Sequence, residues 1–162
     1  MLSRQGGTTG KRGSVKSFGF AIKRSYPATP AIIFDILSDV PEWKRWAWPL
    51  ILSSKWEKLG TDTDGGLDSV RSAGIWPFLI RERITEYEPG KKLSYCFVGR
   101  VVPVKDYHAT VTLEENGGGT DLSWTSSFAP LVPGSGRLLE QVVRLPVLFM
   151  VWRLKKAARR KG

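Results

Sequence analysis

With 162 residues, 41% of them hydrophobic and 25% charged, the chain has the size and composition of one ordinary globular domain, which excludes disorder throughout. Its net charge of +10 resides at the two ends: Arg4, Lys11, Arg12 and Lys16 lie before residue 17, Arg153, Lys155, Lys156, Arg159, Arg160 and Lys161 lie after residue 152, and residues 17–152 carry 15 basic and 15 acidic side chains. A neutral body without a basic groove argues against a nucleic-acid partner, whereas cationic ends suit an anionic lipid surface. The single cysteine, Cys96, rules out an intrachain disulfide, and one histidine, His108, leaves no His/Cys cluster for a metal.

The stretch from Met1 to Val15 is polar and glycine-rich and reads as a disordered basic tail, with one domain expected over 16–162. It lacks the apolar run of a signal peptide, and the longest apolar stretch, Leu145 to Trp152, is far shorter than the ~20 residues that span a bilayer. The expected location is cytoplasmic, with peripheral membrane contact through the basic end as a further expectation.

Phe18, Phe20 and Ile22 alternate with Gly19, Ala21 and Lys23, which predicts a strand with one buried face. Thr29-Pro30 is a helix start, Thr as N-cap and Pro at the first helical position, and Ile32, Ile33, Ile36 and Leu37 form the stripe that follows. A second short helix covers Glu42 to Trp46 and puts Trp43 and Trp46 on one face. Six strands with turn signals between them follow: Ile51–Leu59, Leu67–Ala73, Phe78–Tyr87, Leu93–Val98, Tyr107–Leu113 and Leu122–Phe128. No helical segment separates them, so they are expected to pair antiparallel, the last two through the turn Asn116-Gly117-Gly118-Gly119. Ser135 is a candidate N-cap for a final helix of about 25 residues and about 38 Å. Leu138, Val142, Leu145, Phe149 and Trp152 recur at helical spacing and are expected to face the sheet, with a kink at Pro146. Segregated helices beside an antiparallel sheet make the fold class α+β.

That order of elements, with its residues, resembles the SRPBCC superfamily, also called START-like or Bet v 1-like, and within it the bacterial polyketide cyclase/dehydrase and lipid-transport group. Four segments carry the resemblance: Thr29 to Asp39 followed by Trp43 and Trp46; Gly66 to Arg71; Glu82 to Tyr95 through Pro89-Gly90; and Tyr107 to Trp124. It implies a helix-grip architecture, a curved seven-stranded antiparallel sheet wrapped around the long C-terminal helix with two short helices between strands 1 and 2. It also implies an apolar ligand, lipid- or polyketide-like, held between sheet and helix. Members carry lipids, sense hormones, close aromatic rings or assist chaperones, so the likeness brings no reaction and no cofactor with it.

The side chains expected to line the cavity are Trp43, Trp46, Val70, Tyr95, Phe97 and Trp124, joined by Val142, Leu145 and Phe149 from the final helix. Tyr107, Ala109, Val111 and Leu113 form the apolar face of their strand, which sends His108 outward. Arg71, Arg81 and Arg83 are expected as solvated charges; one pointing inward would pair with a ligand carboxylate or enolate, with Tyr95 donating beside it. A cyclase or dehydratase would need Arg71, Arg81, Tyr95 or His108 to converge inside. The alternative to a carrier or an enzyme is an interaction module acting through the basic final helix, and a monomer and a homodimer are both compatible with the sequence. No Gly-x-Ser-x-Gly elbow and no phosphate loop occurs.

Overall fold

The computed structural model describes residues 16–61 and 65–161, so the predicted tail over 1–15 lies outside the described residues. The chain runs β1 (Ala21–Tyr26), α1 (Pro30–Ser38), a turn of 3-10 helix (Val40–Glu42), α2 (Trp43–Trp46), β2 (Ser53–Lys58), β3 (Val70–Ile75), β4 (Phe78–Glu88), β5 (Lys92–Val98), β6 (Val104–Asn116), β7 (Gly119–Pro130) and α3 (Gly136–Lys161). The strands form one curved antiparallel sheet in the order β1-β7-β6-β5-β4-β3-β2. Strands β2 to β7 are a meander, each paired with its neighbour in sequence. β1 and β2 therefore occupy opposite edges, and α1 and α2 carry the chain from one edge to the other.

Local chemistry explains most of these boundaries. Thr29 Oγ1 accepts from the Ile32 amide at 3.5 Å, and Pro30 opens α1 where its missing N–H costs nothing. The β6–β7 hairpin turns through Gly117 and Gly118, both at positive φ (56° and 87°), as a two-residue turn matching the twist of its strands requires. Ser135 stands at the N-cap position of α3, its carbonyl accepting from the Leu139 amide at 2.9 Å, while its hydroxyl donates to the Val132 carbonyl at 2.7 Å. Pro146 removes one intrahelical donor, yet α3 stays helical from Gly136 to Lys161.

The core lies between the inner face of the sheet and α3. Tyr107, Ala109, Val111 and Leu113 are buried on β6 and His108 is exposed, as the alternation predicts. Two hydrogen bonds fix the helix in place. Tyr26 on β1 donates its hydroxyl to the Val151 carbonyl at 2.9 Å, and Arg153 Nε donates to the Trp46 carbonyl at 2.8 Å.

The face of α3 that packs inward is the opposite of the predicted one. Leu139, Val143, Val147, Met150, Val151, Leu154 and Ala158 are buried, whereas Leu138, Val142, Leu145 and Trp152 are exposed by 68, 46, 57 and 66%. The physical reason lies in length. The inner stripe stays apolar to Ala158, whereas the other stripe runs into Lys156 and Arg159, which cannot be buried without partners.

Candidate functional site

The inner surfaces of the sheet and α3 do not meet everywhere. Between them lies a cavity of about 300 Å3. Its aromatic wall comes from β5, β6 and β7: Tyr95 and Phe97, Tyr107, and Trp124. Phe97 and Tyr107 stack at 3.7 Å between centroids, and Trp124 Nε1 donates to the Tyr95 hydroxyl at 3.1 Å. Trp43 of α2 closes one side, and Val143, Pro146, Val147 and Met150 of α3 form the roof. The mouth is marked by Phe78, Val101 and Val142, which line the cavity and are also exposed.

The polar feature of this space is Arg71. Strand register sets it directly opposite Glu82, and period-two alternation places Glu82 on the same face as Ile80 and buried Ile84. Arg71 Nε donates to Glu82 Oε2 at 2.7 Å, with the two side chains only 2% and 15% exposed. The guanidinium carbon also lies 4.4 Å from the Trp43 ring centre and 4.8 Å from that of Tyr95, so both π-faces stabilise the charge. Two donors here are left over. Arg71 Nη1 is buried and has no hydrogen-bond partner among the described residues, and the same is true of Trp43 Nε1. A buried donor without an acceptor costs about 1–3 kcal/mol.

Burial holds the phenol of Tyr95 well above its ordinary value, with further upward pressure from Tyr107 and Glu82. Burial likewise raises the phenols of Tyr107 and Tyr26. Tyr95 and Tyr107 therefore remain neutral hydroxyls in the cavity. Above the ordinary value of 10.0 the unfolded chain releases phenolic protons that the native state retains. The native state then binds more protons than the unfolded one, so stability is complete below that pH and falls as pH rises further. Urea midpoints are expected to be level up to about pH 10 and then to decline, each buried tyrosine adding about 1.4 kcal/mol per pH unit. Replacing Tyr26 by Phe should remove one share of that slope.

Of the residues predicted to line the cavity, Trp43, Tyr95, Phe97, Trp124 and Val142 do line it. Val70 alternates with Arg71 and so lies on the other face of β3. Trp46 packs edge-on against Trp43 at 6.2 Å and shares an outer groove with Ala157 of α3. Leu145 and Phe149 stand on the outer face of α3, where Phe149 meets Trp152 at 5.9 Å. Arg71 is not the solvated charge that was expected. Arg81 is: it is half-exposed and paired with Glu57 at 2.6 Å on the outer surface, and Arg83 and His108 are exposed. Sequence reading missed Glu82, whose place in the apolar alternation of β4 was the available signal, and Phe78 and Val101 of the mouth. Among the described residues no three His, Cys, Asp or Glu side chains gather as a metal site.

A curved antiparallel sheet closed over one long helix, with an apolar cavity between them, defines a helix-grip domain. A family model described as polyketide cyclase / dehydrase and lipid transport matches residues 18–159, and the chain belongs to that family. Family and fold together suggest a domain that binds hydrophobic ligands. Among solved structures, the chain is similar to a START superfamily protein from Mycobacterium smegmatis, at 10% identity and a TM-score of 0.74, covering 90% of this chain and 99% of that one. It is also similar to Ara h 8.0201, at 15% identity and a TM-score of 0.69, covering 90% and 99%. The protein XoxI from Bacillus cereus matches at 19% identity and a TM-score of 0.68, covering 87% and 95%. At these identities the likeness is one of fold. No curated protein matches the sequence.

Proposed function

We propose that this protein binds and carries an apolar small molecule, lipid- or polyketide-like, that bears a neutral hydrogen-bond acceptor such as a ketone or ester carbonyl. The observation that carries the reading is a largely apolar, aromatic-walled cavity with the Arg71–Glu82 ion pair set in its wall, where Arg71 Nη1 is buried without a partner among the described residues. Arg71 is already neutralised by Glu82, which lines the same space. A ligand carboxylate would bring a second anion beside Glu82 at low dielectric, whereas a carbonyl takes the free donor without adding charge. Catalysis is the weaker reading. Of the four candidates Arg81 and His108 face solvent, while Arg71 and Tyr95 do meet in the cavity; there Arg71 is engaged by Glu82, and burial keeps the Tyr95 phenol protonated.

The test is a fluorescence titration with prodan, a neutral apolar ketone, followed by competition. Saturable binding at one site is expected, with a long-chain methyl ketone displacing the probe about ten- to a hundredfold better than the fatty acid of equal length at neutral pH. Absence of saturable binding would sink the carrier reading, and a preference for the carboxylate would sink the claim about the acceptor.

A further inference from the structure

Gripping α3 uses one of its faces, and the other is apolar too. Leu138, Val142, Leu145, Phe149 and Trp152 follow one another at spacings of four, three, four and three, a stripe about 21 Å long on the outside of the fold. Such a stripe needs a reason to be exposed. Val142 belongs both to it and to the cavity lining, so the stripe begins at the lip of the cavity. Across the mouth, β3 and β4 are joined by the turn Trp76-Pro77, and Trp76 and Phe78 are 80% and 73% exposed. Val101, from the β5–β6 connection, is a third exposed apolar group at the same opening.

Charge identifies what this surface meets. α3 carries eight basic side chains and a single acid, Glu140. On helical geometry Arg137, Arg144 and Lys155 flank the stripe, while Lys156 and Arg159 extend it. A second copy docked through the same stripe would set two such helices against each other, like charge on like charge, which opposes an isologous dimer. An anionic bilayer satisfies both features, taking Leu, Phe and Trp into its interfacial layer and Lys and Arg against its headgroups. Tryptophan at the edges of the patch suits the same depth.

We propose that the outer face of α3 and the Trp76-Pro77 hairpin together form a docking surface for anionic lipid bilayers, which sets the cavity mouth against the membrane. An apolar guest then passes between bilayer and cavity without crossing water. The contact differs from one made by the basic end alone: it centres on residues 138–152 and the hairpin, and Arg153 is partly engaged in holding α2.

Co-sedimentation with vesicles of phosphatidylcholine and phosphatidylglycerol in equal parts tests this, with pure phosphatidylcholine vesicles as control. No cavity guest is added, so the outcome is independent of the ligand reading. The full chain is used, because cutting after residue 152 would remove Leu154 and Ala158 from the core. Binding to the anionic vesicles is expected. The double variant Leu145→Gln/Trp152→Gln should weaken it on the order of a hundredfold, and Trp76→Ser on the order of tenfold, with thermal midpoints unchanged because these side chains are exposed. Neutralising Lys155, Lys156 and Arg159 to Gln should also weaken it about a hundredfold and reduce its salt dependence. Three results would overturn the proposal: no sedimentation with anionic vesicles; sedimentation unaffected by the stripe and hairpin variants; or a dimer abolished by the stripe variant in a protein that ignores vesicles.

Discussion

Arg71→Ala is expected to cost about 3–5 kcal/mol of folding stability, a loss far above that of an ordinary surface arginine. The substitution leaves Glu82 largely buried with no cation 2.7 Å away, and it removes the guanidinium from the Trp43 and Tyr95 rings. Most of the loss comes from the stranded carboxylate rather than from the missing attraction. The double variant Arg71→Met/Glu82→Leu, which strands nothing, should therefore recover most of the stability. Urea denaturation of the two variants separates the contributions. A change below about 0.5 kcal/mol for Arg71→Ala would mean that the guanidinium is solvated and that the ion pair does not form inside the protein. The double variant should still bind apolar probes yet lose its preference for a ketone over an alkane of the same size, because the free donor is gone. Arg71 is in this view a dual element: its Nε ties β3 to β4 through Glu82, and its side chain forms part of the cavity wall.

Leu154→Ala is the second large effect, expected at about 2–5 kcal/mol because Leu154 is fully buried between α3 and the rest of the core and its removal opens a cavity there. Leu145→Ala, one stripe away on the same helix, should stay within about 0.5 kcal/mol, since the side chain is already more than half exposed. Thermal or urea unfolding of the pair decides which face of α3 the sheet grips. The reverse order, a costly Leu145 and a neutral Leu154, would restore the face predicted from the spacing of the larger side chains and would contradict the observed packing. The two leucines differ by nine residues and have the same chemistry, so propensity and transfer free energy cancel in the comparison and burial alone remains.

These two residues also mark where the sequence was legible. The strands of the meander announced themselves through alternation and turn chemistry. Tyr107, Ala109, Val111 and Leu113 against His108 left one choice of face, and Asn116-Gly117-Gly118-Gly119 fixed the hairpin beside them. The long helix did not declare its phase, because Leu145 to Trp152 is apolar on every side and a periodicity argument needs a polar face to measure against. The decisive residues were at its end, where Leu154 and Ala158 continue one stripe and Lys156 and Arg159 end the other. β3 was harder still. Val70, Ser72 and Gly74 on one face and Arg71, Ala73 and Ile75 on the other offer little contrast, so nothing local says that an arginine points inward. That orientation becomes readable only through pairing. β4 carries Glu82 between Ile80 and Ile84, and the short Trp76-Pro77 connection brings Arg71 opposite it. The site was thus half visible: its aromatic wall from alternation, its charged centre only from cross-strand register. The exposed stripe was visible as residues and mistaken for core, which is why its relation to the cavity mouth emerges from the packing alone.

Methyl-resolved NMR during a prodan titration tests the central claim most directly, that the space between sheet and α3 receives an apolar guest beside Arg71. The methyl signals of Ala73, Ile80, Val143, Val147 and Met150, which line the cavity, are expected to shift together with one saturation curve, together with the side-chain N–H signals of Arg71, while those of Leu138 and Leu145 on the outer face stay still. Shifts confined to Leu138, Leu145 and their neighbours, with the cavity methyls unmoved at saturation, would place the guest on the surface and contradict the account.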